Sequence, residues 1–327
     1  MQRTKSLFLA VAITLGAFPW FLPSIGEAQV VVNVDCDTAP PGSLNQAVNS
    51  ANPFTTIFVT GTCREPFNVN FRAALSNIVL DGQNLATIVG QTPAGALSNI
   101  AVALFGAREI TIKRFTIDGN GTSDGIGVNR GATAVIDSNI IKNTARDGIF
   151  VSRLGFAVII NNTIQDGEGE GIEVTENSAA RIGHSSFDDA TTRPNTIQRI
   201  AGSGISVFRS SNARIVGNTI SGNGRDGVRV FKGSHADIAS NNISGNGGDG
   251  ISVSENSGVN LGSAVGAVPP IFTQPNSTTE LNSGFGIRCS IGGYANGDLG
   301  TLTGNRGAKR FDKSCIKRLS EEVGEED

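Results

Sequence analysis

The sequence predicts an all-β chain wound as a single-stranded, right-handed parallel β-helix of about ten coils, with a short N-terminal capping helix. Three observations predict it. The phrase Gly-Ile-x-Val, once Gly-Val-x-Val, starts at Gly125, Gly148, Gly171, Gly204, Gly227 and Gly250, in steps of 23, 23, 33, 23 and 23 residues. Two further apolar phrases keep step with it. One is centred on Ile136, Ile159, Ile182, Ile215, Ile238 and Leu261; the other is Asn-x-Ile at Asn139, Asn162, Asn195, Asn218 and Asn241. Each phrase alternates apolar with polar and is bounded by Gly, Asn or Asp, which marks short strands between turns. A fixed period of this size decides the architecture before local propensity does. Three strands per coil send Ile and Val inward onto their equivalents one coil away. Turn Asn and Gly accept left-handed backbone angles, and stacked asparagines can hydrogen-bond along a column. A leucine-rich solenoid would need Leu-x-x-Leu-x-Leu, and a calcium-binding nonapeptide roll Gly-Gly-x-Gly-x-Asp; neither repeat is present.

Taken in order, residues 1–28 read as an export signal. Arg3 and Lys5 precede an apolar run from Leu7 to Leu22, and Gly26-Glu27-Ala28 offers a cleavage site. Pro19, Pro23 and the shortness of the run argue against a membrane anchor. No later stretch is apolar enough to span a bilayer, so a secreted, periplasmic or cell-surface location is expected. Residues 29–54 form an entry segment and cap. Val30 to Val34 reads as a strand, broken by Pro40-Pro41-Gly42. Ser43 and Gln46 fit a capping box. Leu44, Ala47, Val48 and Ala51 share a helical face, and Asn52-Pro53 stops the helix. Residues 55–307 are the β-helix, opening with strands at Ile57–Val59, Phe67–Val69, Ile78–Leu80, Ile88–Val89 and Ile100–Leu104. Residues 308–327 are read as a C-terminal cap and an acidic, solvated tail.

Four cysteines allow three pairings. Cys36–Cys63 with Cys289–Cys315 is favoured, because each bond would clip one end of the array. A structural metal is not expected from them, since there is no Cys-x-x-Cys and His184 and His235 fall in different coils. With 17% charged residues and a net charge of −3, the chain is neither a disordered polyelectrolyte nor a nucleic-acid binder.

The Gly-Ile-x-Val and Asn-x-Ile phrases resemble the repeats of the pectin-lyase-like superfamily over about residues 55–307. That resemblance implies the fold. It leaves the function class open, because members include polysaccharide lyases, hydrolases, epimerases and non-catalytic adhesins. The Asp-Pro-His-Asp phrase of the alginate epimerases and the paired aspartates of the polygalacturonases are missing here.

A second-order repeat lies above the first. Gly171 to Ser178 matches Gly250 to Ser257 at an offset of 79, so the insertions at 183–193 and 262–275 should leave one corner, three coils apart.

The inside of a β-helix is filled, so function is sought on its outside. Outward positions of the Gly-Ile-x-Val strand include Glu173, Ser206 and Arg229, then Phe208 and Phe231, then Arg209 and Lys232. Exposed phenylalanine faces beside these cations suit a flat anionic ligand, such as a uronate-containing polysaccharide. The plain alternative is that the rings stack on each other and Glu176 and Glu255 pair with neighbouring bases. An enzyme would have its site between the two insertions, where His184 with Asp188 and Asp189 could reach over a groove. Glu173 and Arg229, two coils or about 10 Å apart, are the only candidates for proton transfer on the wall. No cofactor is expected. The row Asp124, Asp147, Glu170, Asp226 and Asp249 is read as turn-forming through bonds to its own backbone, with calcium ligation as the other chemistry it allows. Beyond residue 28 the chain has no Trp and one Tyr, Tyr294, which is poor for sugar subsites. The sequence therefore favours non-catalytic glycan binding, with a polysaccharide-active enzyme and an adhesin-like structural role as the alternatives.

Overall fold

A computed structural model describes residues 30–65, 68–91, 99–186, 191–262 and 274–320. The export segment, Phe67, Asp188, Asp189, most of the second insertion and the acidic tail lie outside the described residues. The chain is a parallel β-helix of about 12 turns, more than the ten or so expected. Both terminal segments supply rungs: Val30–Asp35 pairs with Thr55–Cys63, and Ile316–Leu319 pairs with Tyr294–Gly297. No helix among the described residues is long and apolar enough to cross a membrane.

Three walls surround the core. The long wall begins at Val30–Asp35 and runs through Thr133–Asp137, Phe156–Ile160 and His235–Ala239 to Ile316–Leu319. The glycine wall is a ten-stranded sheet from Val69–Arg72 to Lys309–Phe311. The asparagine wall holds short strands such as Thr163–Gln165, Thr196–Gln198 and Thr219–Ser221. In the early coils one strand serves two walls. Ile110–Asp118 pairs first with Thr133–Asp137 and then with Ile140–Lys142. Likewise Ile78–Leu80 and Ile88–Val89, expected as separate strands, are joined from Val79 on in one strand, Val79–Val89, with a register shift between Asp81 and Ala86.

The Ile and Val of every phrase from Ile126 to Val253 are fully buried and pair in register. Each such side chain contributes roughly 1.5–3 kcal/mol. The glycines of the phrase are required by close approach rather than by left-handed angles. A Cβ on Gly148 would sit 2.5 Å from Ile164 Cγ2 and 2.6 Å from the Gly171 carbonyl oxygen. The left-handed positions are elsewhere. They include Asn161 and Asn177 and the charged column Arg130, Arg153, Glu176, Arg209, Lys232 and Glu255.

Each corner carries its own hydrogen-bonded column. Between the long and asparagine walls, Asn139, Asn162, Asn195, Asn218, Asn241 and Asn276 stack, all buried. The Oδ1 of Asn218 accepts the backbone N–H of Asn195 at 3.0 Å and its Nδ2–H at 2.9 Å, and the same pair of bonds recurs along the column. Ser178, Ser211, Ser234 and Ser257 form a second column. Asn223, Asn246 and Asn282 form a third. Both insertions end in Pro-Asn, at Pro194-Asn195 and Pro275-Asn276, so the first column passes them unbroken. They do leave the same corner, as expected.

The cap helix is Ser43–Asn49, and Leu44 and Val48 close the core. The capping box does not form. Gly42 is the N-cap, and the Ser43 hydroxyl donates to the Pro40 carbonyl at 2.6 Å. The free Leu44 N–H is met instead by the buried Glu65 carboxylate at 3.2 Å, reaching in from the first coil. Burial pushes the Glu65 pKa up. The disulfides are Cys36–Cys63 and Cys289–Cys315, one at each end.

Replacing Asn218 by Ala strands two donors of Asn195 and the carbonyls of Ile182 and Val216. Each buried polar group left unpaired costs about 1–3 kcal/mol. The variant should therefore unfold at a clearly lower denaturant concentration, with a loss on the order of 2–4 kcal/mol. A midpoint equal to wild type would show that the column does not set stability.

Candidate functional site

The outer face of the glycine wall is built by strict pairing. The column Gly127, Phe150, Glu173, Ser206, Arg229 and Ser252 is in register rung by rung, and it continues through Arg288 and Arg310. These last two arginines were missed in the sequence. The 36-residue step from Gly250 to Gly286 hides their alignment, and Gly286-Ile287-Arg288 was the only trace of it. Rungs are about 4.8 Å apart, so Arg229, Ser252, Arg288 and Arg310 span three steps, or about 14 Å. Arg288 and Arg310 are exposed and Arg229 is half-buried.

Phe208 and Phe231 pair directly, and their rings stack at 4.7 Å with planes 10° apart. The Arg229 guanidinium lies 4.1 Å from the Phe231 centroid and that of Arg209 lies 5.0 Å from Phe208. The Lys232 ammonium sits 5.4 Å from Phe231 and 6.0 Å from Phe208. The sequence brought the right residues together but mistook their exposure. Phe231 is only 8% exposed and Phe208 is half-buried. Their faces are occupied by each other and by the cations, so they are no open platform for a sugar. Instead they hold the cations in place; each such contact contributes about 0.5–1 kcal/mol at an exposed site. Glu176 takes up part of the charge, lying 3.3 Å from Arg153 and 3.9 Å from Arg209.

Beside this column lies the acidic row, whose bonds run between coils. Asp147 accepts the Glu170 N–H at 3.0 Å, Glu170 the Ser203 N–H at 2.6 Å, and Asp226 the Asp249 N–H at 2.8 Å. Asp249 accepts the Phe285 N–H at 2.7 Å. The expected bonds to each residue's own backbone are thus replaced by bonds to the next coil. Among the described residues no three His, Cys, Asp or Glu side chains gather as a metal site would require. The first member of the row is tied differently, with Arg146 paired to the buried Asp124 at 2.6 Å.

Glu173 sits next to these carboxylates. Burial, then Asp147 and Glu170, push its pKa up to about 8, against the pull of Arg146 and Arg209. Burial, reinforced by Asp124 and Glu170, raises Asp147 to about 6, against its bond from Glu170 and the charge of Arg146. Glu173 therefore keeps its proton at neutral pH.

His184 does not reach over a groove. It is fully buried where the first insertion begins. The insertions leave from the corner between the long and asparagine walls. Their described ends lie at that corner and not beside Glu173, Arg209 or Arg229 on the glycine wall.

A family model described as the right-handed β-helix region matches residues 55–192 and 185–298. The chain belongs to the right-handed β-helix family. No curated protein matches this β-helix by sequence. Among solved structures, ORF18 of Geobacillus virus E2 matches with a TM-score of 0.59 and 12% identity, covering 88% of this chain and 59% of that one. A pectate lyase, Pel9A, matches with a TM-score of 0.52 and 14% identity, covering 89% and 78%. A variant of the periplasmic alginate epimerase AlgG matches with a TM-score of 0.52 and 13% identity, covering 88% and 82%. At these identities the likeness shows the β-helical fold.

The raised Glu173 pKa gives a signed prediction. Its unfolded value is near 4.5 and its folded value about 8. Its contribution to stability is full below about 4.5 and is lost as pH rises through about 8. Glu173→Gln removes the charge that must otherwise be buried. Its Tm should match wild type in acid and exceed it above about pH 8, by roughly 2–4 °C for each kcal/mol relieved. A Tm difference that stays constant with pH would show that Glu173 does not titrate in this range.

Proposed function

We propose that this chain is an exported, non-catalytic binder of acidic polysaccharide, which lies along the glycine wall. One observation carries the reading: Arg229, Arg288 and Arg310 share a single in-register column, flanked by Arg209 and Lys232, on a chain of net charge −3. A cation row with a fixed repeat along a straight wall suits a polymer whose carboxylates also repeat. Arginine forks pair with carboxylates through two hydrogen bonds at once. The Phe208–Phe231 stack immobilises three of the five cations before any ligand arrives, which lowers the entropy cost of binding. The two disulfides support export, because such bonds persist in oxidising compartments. The pectate lyase and the alginate epimerase are named for acidic polysaccharides, but the reading rests on the arginine column.

Arg209→Ala combined with Lys232→Ala should abolish retention on an immobilised polyuronate at moderate salt. Arg288→Ala with Arg310→Ala should weaken it. Arg199→Ala, whose side chain pairs with Asp166 away from the glycine wall, should leave it unchanged. Equal retention of the double variants and wild type would overturn the proposal.

A second reading, catalysis on the same polymer, is favoured by one observation. A carboxyl group with its pKa raised to about 8 can donate a proton to a leaving oxygen at neutral pH. This reading expects new reducing ends or unsaturated products from pectate, alginate or a glycosaminoglycan, lost in Glu173→Gln. A blank screen, with and without calcium, would leave binding alone.

A further inference from the structure

The last coils of the long wall carry a polar cluster that the glycine wall does not explain. His235, Gly258, Tyr294 and Ile316 succeed one another in register on its outer face. Two residues further along each strand, so do Arg214, Asp237, Asn260, Asn296 and Arg318. Tyr294 lies down over Gly258 to reach the rung beyond. Its hydroxyl meets His235 Nδ1 at 2.7 Å. A Cβ on Gly258 would fall 1.8 Å from Tyr294 Cε1, so the ring occupies the place of the missing side chain. His235 Nε2 lies 3.1 Å from Asp237 Oδ1, and Asp237 is also held by Asn260 at 2.9 Å and Arg214 at 3.1 Å. These contacts hold the Asp237 pKa down, although burial opposes them.

This chain of bonds fixes the orientation of an aromatic ring that stays 36% exposed. Beside the ring is a hollow of about 240 Å³, lined by Tyr294, Ala295, Asn296, Ile316 and Arg318. Ile316 is 56% exposed there. Among the described residues no carboxylate pairs with Arg318. One wall of the hollow is thus a rigid aromatic face, another is aliphatic, and an amide and a guanidinium converge on its rim. Concave apolar sites with a few placed polar groups are where small ligands bind.

We propose that this hollow is a second site, independent of the glycine wall, for a single acidic pyranose. The apolar face of the sugar ring lies on Tyr294 and Ile316, its carboxylate takes the Arg318 fork, and a hydroxyl bonds the Asn296 amide. The Tyr294–His235–Asp237 bonds are the anchor that pre-sets the aromatic face. Gly258 is a positioning residue, since it alone lets the ring lie flat. Removing the hydroxyl or filling Gly258 frees the ring without touching Arg318 or Asn296.

The chain offers its own probe. Tyr294 is the only tyrosine, and Trp20 the only tryptophan. In the full chain carrying Trp20→Phe, tyrosine emission reports this hollow and not the glycine wall. Titration with methyl glucuronide should change that emission saturably, in the millimolar range that suits one sugar ring. Methyl glucoside, which lacks the carboxylate, should bind at least tenfold more weakly. Arg318→Ala should remove the difference between the two sugars. Gly258→Ala should abolish the response, and Arg209→Ala with Lys232→Ala should leave it intact. The last variant separates this proposal from the polymer-binding reading, because either can fail alone. No saturable change with either sugar, or an unaltered response in Gly258→Ala, would overturn it.

Discussion

The buried asparagine column is the constraint on which the rest of this molecule depends. A corner between two strands leaves backbone N–H groups without a strand partner, and inside a protein each must find one. Here six successive coils, from Asn139 to Asn276, solve the problem with the same residue. An Asn side chain accepts two bonds from the Asn of the preceding coil and returns one to a carbonyl there, as Asn218 does toward Asn195 and the Ile182 oxygen. Because each asparagine needs its neighbour in place, the column forbids a register slip. A slip by one residue would also turn the Ile and Val of the phrase outward. Extra residues can therefore enter only where they do not separate one Asn from the next. Both insertions obey this, re-entering through Pro194-Asn195 and Pro275-Asn276.

Rigid register is what turns a repeat into a surface. Once each rung is locked to its neighbour, a residue's place in the 23-residue unit decides its wall and column. Phe208 meets Phe231, and Arg288 meets Arg310, through pairing alone. The Phe208–Phe231 pairing was legible in the sequence, because periodicity reports backbone placement, whereas Arg288 and Arg310 lie beyond the regular steps. Exposure was less legible. Phe231 sits at an outward position yet is covered, because Arg229 and Lys232 come from the same strand and the next residue and fold back onto the ring. Side-chain direction at a left-handed position such as Lys232 does not follow the alternation of a strand.

The other misreadings share a cause. Glu65 caps a helix 21 residues earlier in the chain, and Glu170 bonds a backbone group 33 residues later. Local rules look for such partners within three or four residues, as in the capping box expected at Ser43 and Gln46. In a solenoid the nearest neighbour in space is a full coil away, so polar groups are satisfied vertically. The glycines show the same thing. Their small size serves the coil above, where Ile164 and the Gly171 carbonyl press on Gly148. The Tyr294–His235 contact spans two rungs and 59 residues, and no single-coil pattern could disclose it.

Vertical satisfaction also shapes the electrostatics. The carboxylates of Asp147 and Glu170 are drawn into the wall by the N–H groups they accept, and that burial gathers negative charge around Glu173. Protonating Glu173 relieves the crowding. The structural ladder thus sets the charge state of the face beside it. The cluster around Tyr294 shares no residue with that ladder and occupies a different wall. Coupling between substitutions fades when sites lie apart and share no partners. Changes at Gly258 or Arg318 should therefore add to changes at Arg209 or Lys232, because the rigid core between the two faces has only one register in which to transmit either.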